Sequence, residues 1–175
     1  MWENRTGRNR QSCLVIIKVG DMYRILIVDD EKLERNGIQF LLKKTGTELE
    51  IFEAANGRDA LELLAHQKAE ILLTDIKMPY MNGLELAEKV SSQYPETKII
   101  MFSGYSDFSY AQTAIRYGVS DYILKPVDPW EFQKTMKKLL EEIKREKAEE
   151  VQQIKTQDYF ISSFCRITYM AEKRI

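Results

Sequence analysis

Residues 71–83 read ILLTDIKMPYMNG, and the reading of that stretch decides the fold. Apolar and β-branched residues from Ile71 to Thr74 run straight into a lone carboxylate, Asp75. Consecutive apolar positions are the pattern of a strand buried on both faces. Met78-Pro79 then turns the chain. Asn82, followed by Gly-Leu-Glu85, supplies a helix N-cap with an acid three residues on. An unpaired buried charge is costly. Asp75 is therefore either neutralised by something or delivered to a surface where it works.

The same strand–turn–helix unit repeats on either side. The β-rich runs are YRILIV (23–28), LEIFEA (49–54), EILLT (70–74), KIIMFS (98–103) and DYIL (121–124). Segments with helical apolar spacing lie between and after them: Leu33, Ile38, Leu41, Leu42; then Ala60, Leu61, Leu63, Leu64; then Leu84, Leu86, Ala87, Val90; then Tyr110, Ala111, Ala114, Ile115; and last Phe132, Met136, Leu139, Leu140, Ile143. Asn56 before Gly-Arg-Asp59 predicts another N-cap. Asp128-Pro-Trp-Glu131 predicts a cap, a first-turn proline and a capping-box glutamate. Gly118 reads as the stop of the fourth helix. Strict alternation of strands and helices predicts a parallel sheet with helices on both faces. In such sheets function gathers outside the carboxyl ends of the strands.

Composition bounds the rest. The chain has 175 residues, 44% apolar and 30% charged, ordinary values for one packed domain with appendages. With 26 basic and 27 acidic residues it carries a net charge of −1, so there is no overall footprint for nucleic acid or membrane. No stretch is apolar and long enough to span a bilayer. Cys13 and Cys165 have no metal-ligand spacing and read as free thiols in a reducing cytoplasm. The lone histidine, His66, ends a helix pattern beside Gln67 and Lys68 and is read as solvated. Residues 1–21 read as a non-native or disordered leader, with a real extra strand as the alternative, because the well-patterned sequence begins at Met22. The fifth helix has no obvious stop. Its apolar positions suit packing on the sheet, or a seam with a second chain that Val151 and Ile154 resume.

The strand-end rule collects a constellation. The first strand ends in Asp29-Asp30-Glu31, the third in Asp75, the fourth in Ser103-Gly104 and the fifth in Lys125-Pro126. Singly, each has a plain explanation: an aspartate caps or turns, a lysine is surface, and Tyr122 packs in the core. On one sheet edge they acquire a common use. Clustered carboxylates suit a hard, oxygen-seeking Mg²⁺, lysine is a point charge for phosphate, and a serine hydroxyl donates to a phosphoryl oxygen. One aspartate can attack phosphorus.

The motifs ILIVDDE, TDIKMPYMNG, FSGYSDFSYA and YILKPV, in that order over Met22 to about Lys147, resemble the receiver domain of two-component response regulators. The resemblance implies a flavodoxin-like (βα)5 fold, a doubly wound five-stranded parallel sheet in the order 2-1-3-4-5, here with an extended C-terminal helix. It implies Asp75 as phosphoacceptor, with Mg²⁺ held by Asp29, Asp30, Asp75 and the backbone carbonyl of Lys77. Lys125 would pair with the phosphoryl group and form a cis peptide with Pro126. Ser103 and Tyr122 would be the switch pair. Gly104 departs from the alanine common there. The implied donor is a sensor histidine kinase. The implied response is a changed equilibrium on the helix 4–strand 5–helix 5 face, with homodimerisation there or along the C-terminal helix. The domain would be cytoplasmic, and no enzyme beyond its own phosphoryl transfer and dephosphorylation. SGYSDFSYAQTAIRYGVSDYILKPVDPWEF resembles receivers that precede an AraC-type DNA-binding domain, so residues 148–175 read as a helical linker toward an output domain not in this chain. DNA would be bound only through that domain. Two rivals fit less well. An aspartyl-phosphate phosphatase wants Asp-x-Asp after the first strand, where Asp29 and Asp30 are adjacent. A flavodoxin-like binding module wants a Ser/Thr/Gly-rich phosphate cradle there, which is missing.

Overall fold

The computed structural model describes residues 22–104 and 108–172, with side chains through residue 153 except Phe108. The leader assigned to residues 1–21, with Cys13, lies outside the described residues, as does the Cys165 side chain. The elements are β1 (Tyr23–Val28), α1 (Lys32–Lys43), β2 (Leu49–Ala54), α2 (Gly57–His66), β3 (Ile71–Asp75), α3 (Gly83–Gln93), β4 (Lys98–Ser103), α4 (Phe108–Arg116), β5 (Asp121–Leu124) and α5 (Pro129–Glu172). The strands form one parallel sheet in the order β2-β1-β3-β4-β5.

Alternation along each strand builds two cores. Ile25, Ile27, Ile71, Leu73, Ile100 and Phe102 face α1 and α5, meeting Ile38, Leu42, Phe132, Met136 and Ile143. Leu26, Val28, Leu72, Ile99 and Met101 face the other way, onto Ala60 and Leu64 of α2, Leu86, Ala87 and Val90 of α3 and Ala114 of α4. Strands sandwiched in this way must be apolar at successive positions, which is why ILLT reads as a run rather than an alternation. Phe102 and Phe132 stack with ring centroids 6.2 Å apart, holding the start of α5 against β4.

Local chemistry sets the helix starts. The Asn56 side chain accepts from the Arg58 and Asp59 N–H groups. Asn82 makes a full capping box with Glu85, and Asp128 accepts from the Glu131 N–H at 2.8 Å. Gly118, at φ +71°, ends α4, with its N–H on the Ile115 carbonyl and the Val119 N–H on that of Ala114.

Three expectations need correction. The third strand is 71–75 rather than 70–74: Asp75 still pairs with Phe102, while Glu70 turns its carboxylate back to the Arg24 N–H at 2.8 Å. Leu33 is 81% exposed, because it sits roughly 140° round α1 from buried Ile38. Ile115 is 75% exposed, roughly 100° round α4 from buried Ala114. The apolar seam of α5 from Phe132 to Ile143 is consumed by the sheet, and exposure resumes with Val151.

Candidate functional site

The carboxyl edge of the sheet brings the expected residues together around one cation. Lys125 Nζ lies 2.8 Å from Asp75 Oδ1 and 3.0 Å from Asp29 Oδ2. The other oxygens of these acids are held by backbone: the Glu31 N–H donates to Asp29 Oδ1 and the Lys77 N–H to Asp75 Oδ2, each at 2.8 Å. Asp29 is buried and Asp75 half-buried. The carboxylate at the end of ILLTD is thus neutralised by a lysine 50 positions downstream in the sequence. Burial alone would lower the Lys125 pKa, but its hydrogen bonds to Asp75 and Asp29 and their charges outweigh this and hold it above the usual lysine value.

Several backbone features surround this pair. The Lys125 N–H donates to the Ser103 carbonyl at 2.7 Å, and Lys125-Pro126 is cis. Gly83 packs so tightly under the loop that a Cβ there would lie 2.0 Å from the Asp75 carbonyl oxygen, while its N–H donates to the Ile76 carbonyl at 2.9 Å. Tyr80, in the same loop, holds φ +67° with its ring exposed. Such a conformation in a bulky residue stores strain and concentrates at working sites.

The remaining expected residues fall as follows. Asp30 is exposed and lines an open cavity of about 550 Å³ with Lys77, Met78, Asn82 and Tyr110. Ser103 is buried at the end of β4. Tyr122 is half-buried against the core shared with α2, α3 and α4. Gly104 is exposed, and among the described residues nothing lies within 4 Å of where a Cβ would stand. His66 is exposed at the end of α2.

Sequence reasoning missed two neighbours. Arg35 donates to the Asp29 carbonyl at 2.6 Å and pairs with Glu53 at 2.7 Å, clamping the β1 end to β2. Glu34 approaches Lys125 Nζ at 3.8 Å. Neither pairing leaves a signal in local spacing; only the β1–α1 turn folding over the sheet edge creates them.

Among the described residues no group of three His, Cys, Asp or Glu side chains forms a metal cage. The donor chemistry nonetheless suits Mg²⁺, which takes one or two carboxylates and keeps several waters. Asp29, Asp30, Asp75 and the Lys77 carbonyl are all hard oxygen donors.

Comparison with known proteins gives one consistent answer. The response regulator receiver domain family matches residues 25–137. A Bacillus subtilis relative, the transcriptional regulatory protein YesN, is 39% identical over 127 residues, covering 71% of this chain and 34% of YesN. The receiver domain of AraT, a response regulator from Geobacillus stearothermophilus, superposes with a TM-score of 0.65 at 37% identity, over 71% of this chain and 98% of that one. A two-component transcriptional regulator AraC from Clostridium phytofermentans gives 0.64 at 34% identity, over 73% and 98%. Against the curated relatives it matches, the chain spans about a third to a half of their length.

Proposed function

This chain belongs to the response regulator receiver domain family, and from that premise we propose that Asp75 is its phosphoacceptor. The observation that carries the proposal is the Lys125 bridge, 2.8 Å from Asp75 and 3.0 Å from Asp29 at the carboxyl edge of the sheet. Family membership implies a sensor kinase as partner, and the donor proposed here is its phosphohistidine. An Asp75 oxygen forms the new bond to phosphorus, the bond from phosphorus to the imidazole nitrogen breaks, and the histidine leaves with the electron pair. Lys125 follows the transferred oxygens and orients them. Asp29, Asp30, Asp75 and the Lys77 carbonyl would hold Mg²⁺, which when bound neutralises charge on the phosphoryl group.

The acyl phosphate replaces a paired carboxylate with a group of greater charge and more acceptor oxygens. Ser103, at the end of β4, is the donor proposed to turn toward it, and Tyr122 the ring that follows. Their movement shifts an equilibrium on the α4–β5–α5 face. Exposed Ile115 and Leu124, on α4 and β5, support that face as a homodimer surface. Because the α5 seam through Ile143 is buried within the chain, a dimer along that helix would begin beyond it. The proposed domain plan keeps residues 22–147 as the receiver and 148–175 as a helical linker to an output domain, through which any DNA contact would run. No described helix is long and apolar enough to cross a membrane, and the reading carries a cytoplasmic location with it. The domain acts on no substrate but its own aspartate.

The test is incubation with acetyl phosphate and Mg²⁺, read by intact mass and size exclusion. One phosphoryl adduct, lost in Asp75→Asn, is expected. An adduct that survives the substitution overturns the assignment of Asp75. An unchanged oligomeric state on phosphorylation removes the dimer switch alone.

A further inference from the structure

Lys125 has a third acid beside it, and that acid does no anchoring. Glu34 Oε2 stands 3.8 Å from Lys125 Nζ, farther than the Asp75 and Asp29 oxygens at 2.8 and 3.0 Å. It lies in the first turn of α1 with its side chain 44% exposed. The ammonium is already held by the two nearer carboxylates. The β1 end is already clamped by Arg35 through Glu53 and the Asp29 carbonyl. What Glu34 adds is a negative charge, 44% exposed, beside the lysine that the transferred phosphoryl oxygens would meet.

Resting on the phosphoacceptor reading of Asp75, we propose that Glu34 is a specificity-determining residue that discriminates phosphodonors by charge, disfavouring acyl phosphates relative to nitrogen-linked phosphoryl groups. Acetyl phosphate approaches as a dianion. Phosphoramidate approaches with net charge −1, because its nitrogen carries the extra proton. In both reactions an Asp75 oxygen bonds to phosphorus. With the first, the phosphorus–oxygen bond breaks and acetate leaves with the electron pair. With the second, the phosphorus–nitrogen bond breaks and ammonia leaves with the pair, already protonated. The product is the same acyl phosphate, so the Glu34 charge acts on the approach and not on the product. Each unit of donor charge, several ångströms from Glu34 in a partly aqueous setting, is slowed about threefold at low salt. A phosphohistidine with a protonated ring falls in the favoured class. The arrangement thus insulates the site from small acyl phosphates while leaving it open to a kinase.

The experiment measures adduct formation by intact mass with each donor, at neutral pH and saturating Mg²⁺. Glu34→Gln is expected to raise the ratio of acetyl phosphate to phosphoramidate rates about threefold at low salt. Glu34→Asp should leave the ratio near its starting value, and Glu34→Lys should overshoot Gln in the same direction. The gain should vanish in about 1 M KCl, where screening reaches about 3 Å. Equal acceleration of both donors, slowing of both, or a gain that survives high salt overturns the proposal, since a merely structural Glu34 would give those results. Circular dichroism checks each variant's fold, and Glu34→Lys stands in if Glu34→Gln is misfolded. An adduct persisting when Asp75→Asn is combined with Glu34→Gln would defeat the underlying site assignment and the proposal with it. Loss of the adduct there, without donor discrimination in Glu34→Gln alone, defeats only the role of Glu34.

Discussion

The two edges of the sheet carry the same kind of interaction to different ends. At the amino edge, Glu70 takes Arg24 at 3.4 Å and Lys147 at 3.0 Å, and Lys98 takes Glu146 at 2.7 Å and Glu142 at 3.4 Å. Three cations meet three carboxylates, and Lys147 also covers the Tyr23 ring at 5.1 Å. That cluster is balanced and ties α5 to the strand starts. At the carboxyl edge one lysine faces Asp75, Asp29 and Glu34 within 3.8 Å, with Asp30 next in sequence. Among the described residues, carboxylates outnumber the ammonium around Lys125. Charge balance, rather than the presence of ion pairs, separates the fastening edge from the working edge.

The largest effect that could break this contrast comes from exchanging the two lysines' fates. Lys125→Ala should slow phosphorylation by acetyl phosphate about a hundredfold, the scale on which removing one preorganised electrostatic donor acts. Lys98→Ala should leave that rate within a factor of about two and only loosen α5, since an ion pair at the sheet start touches no reacting group. Rate constants from intact-mass time courses decide it. A comparable loss in Lys98→Ala would mean the edges are not functionally distinct.

Next in size is a pair of glycines. Gly83→Ala forces a methyl to within 2.0 Å of the Asp75 carbonyl, so the β3–α3 loop must shift. The expected cost is about 2–3 kcal/mol by urea denaturation, with a slowed phosphorylation rate. Gly118→Ala, on the amino edge at φ +71° with no close neighbour, meets only left-handed strain of about 1 kcal/mol and keeps its rate. A Gly83→Ala domain with wild-type kinetics would show that the tight approach does not position Asp75.

Gly83 also marks where the sequence stops being legible. Four strands were readable to the residue, because strands packed on both faces write their burial as unbroken apolar runs. Asn56 and Asn82 were readable as caps because capping is local chemistry within three residues. Asp29, Asp30, Asp75, Ser103 and Lys125 were readable as one edge because parallel strands all end on the same side. Gly83 could be read only as a helix start; its contact with Asp75 depends on how the loop folds back. Leu33 and Ile115 fit a helical period by spacing yet face solvent, since spacing fixes which residues share a stripe but not how wide the buried stripe is. Arg35 and Glu34 were silent because their ionic partners, Glu53 and Lys125, come from other strand ends.

A smaller effect tests the fastening edge through pH. Burial alone would raise the Glu70 pKa, but the Arg24 N–H and the Lys147 and Arg24 side chains more than offset this and lower it below the ordinary 4.5. A depressed carboxyl stabilises the fold above its unfolded pKa, and that contribution is lost as pH falls through the folded value. Glu70→Gln should therefore cost about 1 kcal/mol at neutral pH, and the gap to wild type should close as pH drops below 4.5. Lys98 has the opposite sign. Burial lowers its pKa, but Glu146 and Glu142 raise it further than burial depresses it. Its contribution is whole below the ordinary 10.5 and is lost as pH rises through the folded value. Urea midpoints across acid and alkaline series check both, and a Glu70→Gln gap that widens in acid would contradict the assignment.

The smallest effect is the most diagnostic, because its sign differs between the edges. At a balanced cluster, removing a carboxylate charge destabilises. At an edge with surplus acid, removing one relieves repulsion. Asp30 is exposed, beside buried Asp29 and close in the chain to Glu34. With no Mg²⁺ added, Asp30→Asn should raise Tm by about 1–2 °C. The gain should fade in about 1 M KCl as exposed charges are screened. Added Mg²⁺ should raise the Tm of the wild type more than that of the variant, because the ion stabilises the folded state in proportion to how well the site binds it. A fall in Tm for Asp30→Asn without Mg²⁺ would mean that the carboxylates at the working edge are already compensated, and the distinction between the two edges would then have to rest on geometry alone.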